Sequence, residues 1–379
     1  MKILMTTVVG AAVALAGCSA GSRESQADSD MKLLVGSYCE PGDSALRVFS
    51  FNEADTSGRL LYTVDVDNAS FFTQAPSGTV YAVTERGDSD SYLTALRPDS
   101  VTGLLKIVNS RPTLSGGPCY VEVSSDARFA VTANYGGGTI SVFPIAADGS
   151  LLPVTWQAVF DGNGPVERRQ ASPHPHCIAF TPDGRYMLVN DLGTDRIHMF
   201  AAAGDSLSRP ERIGEIDIIP GSGPRHIVFN KSGDIAYLIN EISDSVTVLR
   251  YNGHTLEPVQ YIAADTAEAH GAGDIHLSPD GRHLYVSLRL RHDGIATFAV
   301  DEATGLLTLK GHTPTGGHPR NFAISPGGRL MLVACRDANA VEIYAIDPVT
   351  GMPAPTGRRI DVPRPVCVKF LRPHAEVSK

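Results

Sequence analysis

The chain has 379 residues, 42% of them hydrophobic and 19% charged, a balance that supports a large packed core and argues against a disordered or a membrane protein. Its net charge of −9, with no run of Lys or Arg, argues against a nucleic-acid partner, because proteins that follow phosphate backbones carry a basic stripe.

The first element reads as an export segment. Lys2 gives a short positive start, and residues 3–16 form a mostly apolar run too short to cross a bilayer as a helix. Leu15-Ala16-Gly17-Cys18 closes the run and is similar to the bacterial lipoprotein box, in which the cysteine is lipidated and becomes the new N-terminus. Residues 1–17 are predicted to be a signal peptide, Cys18 the lipidation site, and the small, polar residues 18–30 a flexible tether. The protein is thus expected to be exported and held at the bacterial envelope, touching membrane only through this anchor. Cys39, Cys119, Cys177, Cys335 and Cys367 show no C-x-x-C spacing, so no zinc or redox motif is predicted and most should be small buried hydrophobes.

From residue 31 to about 374 a single domain is predicted. Three apolar segments, starting at Lys32, Leu46 and Leu60, come first. A repeat then recurs at Gln74, Val123, Phe180, Phe229, Leu277 and Ile324, 47 to 57 residues apart. Its clearest copies are Phe180-Thr181-Pro182-Asp183-Gly184-Arg185, Leu277-Ser278-Pro279-Asp280-Gly281-Arg282 and Ile324-Ser325-Pro326-Gly327-Gly328-Arg329. Each copy reads as one strand, a tight turn and a second strand, with Pro presetting φ and Gly accepting a positive φ. Asp183 and Asp280 belong to that turn. Third and fourth strands follow, as at Ser245 and Glu257. Four strands at this period are the blade of a β-propeller.

First strands of blades start near Phe71, Tyr120, Cys177, His226, Asp274, Asn321 and Val366, giving seven. The last has no hairpin partner after it, so it is expected to complete a blade begun by the three N-terminal strands, which removes two open sheet edges. The fold class is all-β: a seven-bladed β-propeller, four antiparallel strands per blade, closed by the C-terminal strand.

In that fold the loops leading into first strands and those leaving second strands share one face. The leading loops hold His174 and His176, Arg225 and His226, Asp274 and His276, and His318, Arg320 and Asn321; the others hold Glu85, Asn134, Asp191, Glu241, Arg289 and Arg336. Four arginines on one face of an acidic chain suit a small anion such as a phosphate or carboxylate. His174 and His176 alone do not make a metal site, and no metal or cofactor is assigned.

Pro173-His174-Pro175-His176, Asn190-Asp191-Leu192-Gly193, Gly223-Pro224-Arg225-His226, Asn240-Glu241, Asp274-Ile275-His276 and Gly317-His318-Pro319-Arg320-Asn321 together resemble the 6-phosphogluconolactonase family of propellers, over about residues 32–371. The resemblance implies hydrolysis of a sugar-acid lactone to the open acid. That family also includes relatives of a carboxymuconate cyclase, so lactone formation from a muconate is an alternative, as is a non-catalytic propeller that binds an anionic sugar or a protein. Where family members carry Ser-Asn-Arg, this chain has Ser287-Leu288-Arg289.

For the lactonase reading, the expected catalytic set is Glu241 as general base, His226 and His176 at the carbonyl or leaving oxygen, and Asp191. Arg225, Arg289, Arg320, Arg336, His174, His276 and Asn134 are the expected substrate contacts. No Gly-x-Ser-x-Gly elbow is present, which argues against a serine nucleophile.

Overall fold

A computed structural model describes residues 31–87, 90–99 and 101–372. The expected signal peptide, Cys18, the tether and residues 373–374 lie outside them.

Seven four-stranded antiparallel sheets surround a central channel, and the predicted all-β propeller is what the chain forms. Blades 1 to 6 span residues 72–112, 118–159, 175–217, 224–263, 275–314 and 319–361. In blade 7, Pro365–Phe370 is the inner strand and Met31–Ser37, Leu46–Asn52 and Ser57–Val64 are the outer three. Val368 pairs with Val35 and Phe370 with Leu33, so the two ends of the domain lock into one sheet.

Burial follows strand position. Second strands such as Phe129–Asn134, Ile235–Asn240 and Leu330–Cys335 are buried at every residue, because both their faces meet neighbouring blades. Fourth strands such as Leu256–Ala263 alternate toward solvent. The apolar side chains collect between blades rather than on the axis; Tyr237, Val248, Leu284 and Phe298 join blades 4 and 5 in this way. The repeat turns are built as their sequence requires: Asp183 accepts from the Thr181 hydroxyl and the Arg185 N–H, and Gly184 has φ 68°. All five described cysteines are free thiols, and four are buried.

One device positions the site. Inner strands carry a β-bulge just after a proline at Pro118, Pro175, Pro224, Pro319 and Pro365, visible as a one-residue skip in register. The extra residues are Cys119, His176, Arg225, Arg320 and Val366. A bulge re-aims one side chain without breaking the ladder, and here it directs three cationic or imidazole groups to one end of the channel.

Candidate active site

The loops after second strands anchor the loops that lead into the next blade. Asp195, after blade 3's second strand, accepts the N–H groups of Gly221 and Gly223 at 2.6 and 2.7 Å, immediately before Pro224 and Arg225. Gly223 has φ +69° and a Cβ there would lie 2.7 Å from Ile242, so only glycine fits. Asp244 holds His270, Gly271 and Ala272 in the same manner one blade on. The backbone under the site is therefore pinned by buried carboxylates.

On this frame Glu241 receives three guanidinium groups. Arg169 Nη2 lies 2.5 Å from Oε1, and Arg225 Nε and Arg289 Nη2 lie 2.7 and 3.2 Å from Oε2. Burial disfavours the Glu241 charge, but Arg289 and Arg225 outweigh it and hold the carboxyl well below its usual range. Arg225 also donates to Gly273 O at 2.7 Å, and Arg289 donates to Gly271 O and Ala272 O at 2.6 and 3.0 Å. Arg225 and Arg289 are thereby committed to protein acceptors. Arg320 is different: it lies over the Tyr38 ring, 5.4 Å from the centroid, and forms no hydrogen bond or ion pair with any described residue. Tyr38 in turn donates to Glu85.

Beneath the arginines stand two neutral imidazoles. Burial and then Arg225 push His176 well below the usual histidine range, and its Nδ1 is buried without a hydrogen-bond partner. The same causes lower His226 to about 3. His226 Nδ1 lies 2.7 Å from Asp274 Oδ1, which fixes the tautomer with the proton on Nδ1. Arg225 Nη1 lies 3.4 and 3.2 Å from the two His226 nitrogens, and with the proton on Nδ1 it donates to Nε2. A small cavity of about 10 Å³ between Ser70, Arg225, His226 and Arg320 has room for one water-sized group. A larger cleft of about 1180 Å³ lies elsewhere, between blades 7 and 1, lined by residues such as Lys32, Leu105 and Arg372.

The structure thus brings Arg225, His226, His176, Glu241, Arg289 and Arg320 together. His174 borders them, its Nδ1 2.9 Å from Tyr135 O and its ring stacked on Tyr135. Four expectations change. Asn134 is fully buried and its amide is consumed by Thr132, Thr139 and Ser141, so it faces no ligand. Asp191 is spent on the N–H groups of His174 and Gly193 and on the Thr194 hydroxyl, ordering the loop rather than reaching the cluster. Arg336 pairs with Asp337 on the rim. His276 lies two residues past Asp274 and bonds its Oδ2 through Nε2 at 2.8 Å, so Asp274 stands between it and His226.

Arg169 was missed by the motif reading. It sits on a four-residue helix, Glu167–Gln170, in the loop leading to blade 3. Its signal is the 57-residue repeat spacing between Val123 and Phe180, against 47 to 49 elsewhere. Tyr38 was missed although it follows Met31–Ser37, the second strand of the closing blade, because that strand comes first in the chain. Among the described residues, no group of three or more His, Cys, Asp or Glu side chains is arranged to hold a metal.

Comparison with known proteins identifies the family. The family described as "Lactonase, 7-bladed beta-propeller" matches residues 32–370. A 6-phosphogluconolactonase from Formosa agariphila is 34% identical, covering 84% of this chain and 93% of the relative. Another from Bacillus subtilis is 31% identical over 89% of this chain and 97% of its own. The solved structure of a periplasmic gluconolactonase from Pseudomonas aeruginosa superposes with a TM-score of 0.85 at 34% identity, covering 90% of this chain and 99% of that one.

Proposed function

The chain belongs to the seven-bladed β-propeller lactonase family, and from that membership and the site we propose that it hydrolyses a sugar-acid lactone to the open acid, as its relatives named 6-phosphogluconolactonase do. The observation that carries the reading is Arg320: its guanidinium has no hydrogen-bond or ion-pair partner among the described residues, whereas Arg169, Arg225 and Arg289 are engaged by Glu241. A lactone carbonyl gains negative charge when water attacks it, and a pre-placed cation in a water-poor pocket stabilises that charge.

The geometry redistributes the expected roles. Glu241 has both oxygens taken by guanidinium groups, which makes it a weak base and a strong organiser of Arg169, Arg225 and Arg289. Its assigned role is to hold the arginines in register. His226, oriented by Asp274 and neutral, takes the proton from the attacking water at Nε2, in place of the N–H it accepts from Arg225, and returns it to the ring oxygen as the C–O bond breaks. His176, with an unpaired Nδ1, faces the carbonyl or the leaving oxygen. Arg289, committed to Gly271, Ala272 and Glu241, supports Glu241 rather than the substrate.

The test is acid release from glucono-1,5-lactone and its 6-phosphate, measured over the spontaneous rate. Saturable acceleration supports the reading; none overturns it, and the ratio of kcat/KM for the two lactones reports whether the phosphate is recognised.

Export with a lipid anchor at Cys18 is part of the same proposal, supported by Leu15-Ala16-Gly17-Cys18 and by the periplasmic location in the name of the Pseudomonas relative. Mass spectrometry of the N-terminal peptide tests it: a diacylglyceryl group on Cys18 is expected, and an unmodified N-terminus beginning at Met1 contradicts it.

A further inference from the structure

Inner strands present equivalent residues to the mouth of the channel. Arg225 lies five residues before Asn230, whose N–H meets Ile235 O across the hairpin, and Arg320 lies five before Ser325, whose N–H meets Leu330 O. The same count back from Ala75, whose N–H meets Thr79 O, reaches Ser70. Blade 1 therefore places a serine where blades 4 and 6 place arginines.

The loop that carries Ser70 is fixed on both sides. Asn68, with φ 44°, accepts the Cys39 N–H at 3.0 Å and donates to Glu85 O, and Phe71 O accepts the Val83 N–H at 3.0 Å. Ala69 O packs so closely on Gly36 that a Cβ there would lie 2.1 Å away. Ser70 is 3% exposed, and its Oγ has no hydrogen-bond partner among the described residues. Buried polar atoms are nearly always paired, so a rigid loop that leaves one unpaired beside a cavity marks a place for a ligand atom. The cavity is the one of about 10 Å³ walled by Ser70, Arg225, His226 and Arg320. Arg225 is engaged by Glu241, Gly273 O and His226, which leaves the Ser70 hydroxyl and the Arg320 guanidinium as the open donors. No carboxylate of the described residues lines the cavity. Its chemistry suits a single oxygen atom bearing negative charge.

We propose that Ser70 is the second donor of an oxyanion hole, receiving the lactone carbonyl oxygen together with Arg320. This rests on the lactonase reading above. As the water oxygen bonds to the carbonyl carbon, the π pair of the C=O moves onto the oxygen, and Ser70 O–H and an Arg320 N–H donate to it. When the ring C–O bond breaks, that pair returns and the carbonyl re-forms as part of the acid. Ser70 keeps its proton throughout. Its Oγ is hydrogen-bonded neither to His226 nor to any other described base, so nothing activates it as a nucleophile. Because it touches the reacting oxygen, Ser70 is a catalytic residue.

The test compares wild type with Ser70→Ala in hydrolysis of glucono-1,5-lactone, with urea unfolding beside it. The variant is expected to lose about 100-fold in kcat with little change in KM, since the contact strengthens only as charge develops. Its urea midpoint is expected to hold or rise, because the hydroxyl removed is buried and unpaired. An unchanged kcat, a change confined to KM, or a midpoint that falls together with activity each overturns the assignment and leaves the lactonase reading intact. So does an acyl adduct on Ser70 in rapid-quench mass spectrometry, which would make it the nucleophile. Absence of turnover in the wild type overturns the lactonase reading and the oxyanion hole with it.

Discussion

Arg225 Nε meets Glu241 Oε2 at 2.7 Å, joining the bulge on blade 4's inner strand to the loop that leaves its second strand. This contact ties fold to site. The bulge exists to aim Arg225 into the channel, and Glu241 arrives opposite it because Asn240, the last residue of the second strand, pairs with Pro224. Two residues 16 apart in sequence are thus fixed by one hairpin.

Replacing Glu241 by Gln should disable the enzyme through its arginines. Arg225 and Arg289 are almost fully buried, and loss of their shared counter-charge leaves them uncompensated. Breaking a buried ion pair on one side costs about 3–5 kcal/mol. Turnover is expected to fall about 100-fold or more, with a lower urea midpoint. A variant that loses activity with an unchanged midpoint restores Glu241 as a direct base.

Arg320→Ala removes the unpaired cation. Because no carboxylate among the described residues lies within ion-pair distance of its guanidinium, folding should be little affected while kcat drops by roughly 10²–10³, the usual effect of losing an oxyanion donor. Rate measurements beside thermal melts check this; a change confined to KM assigns Arg320 to ground-state binding of substrate instead.

The sequence carried the architecture well because blades are local. Each Pro-Asp-Gly turn sits between two strands a few residues apart, so periodicity and turn chemistry sufficed to count seven blades and to place the closing strand at Val366. The face holding Arg225, Glu241 and Arg320 followed from the same reasoning. What could not be read was which groups neutralise one another. Glu241 resembles a base on the page, and only the convergence of Arg169, Arg225 and Arg289 from three different loops turns it into an organiser. Asn134 and Asp191 occupy second-strand ends as the active residues do, but their neighbours are hydroxyl and amide groups of the chain itself, a difference set by side-chain direction. His276 lies beside a site motif, but its ring is bonded to Asp274 instead of facing the arginines.

Acidity separates His226 from an ordinary histidine base. Its protonated form is disfavoured until about pH 3, so kcat/KM should stay level as pH falls from 7 to 5 instead of declining through the usual histidine range near 6.5. A limb with a midpoint near 6.5 in initial-rate measurements contradicts the assignment.

Stability should decline over that same interval. His176, His226 and His318 all have folded pKa values lowered by burial, the last two to about 3. The unfolded chain therefore binds protons below about 6.5 that the native state refuses. Their contribution is whole above the unfolded value and is lost as pH falls toward the folded one. Three such groups give a slope of up to about 4 kcal/mol per pH unit. Below the ordinary carboxylate range, Glu241 and Asp274 add to it, since their lowered values also make the unfolded state the better proton acceptor. Urea unfolding at pH 7.5, 6 and 5 measures the slope, and a flat dependence rejects the buried neutral histidines.

Ending the chain at residue 364 deletes Pro365–Phe370, the inner strand of blade 7. Val368 and Cys367 are fully buried in two different core clusters, so the truncated protein should fail to fold cooperatively rather than lose a terminal strand. A sharp denaturant transition in the truncated chain argues against closure by this strand.

The bulge-aimed arginine cluster at one mouth of the channel is the proposed place where a sugar-acid lactone is opened. A crystal structure with the aldonic acid product tests it most directly. The product carboxylate is expected against Arg320, within hydrogen-bond reach of His176 or His226 and above Glu241. Product bound in the cleft between blades 7 and 1, with the Arg320 pocket left to solvent, contradicts it.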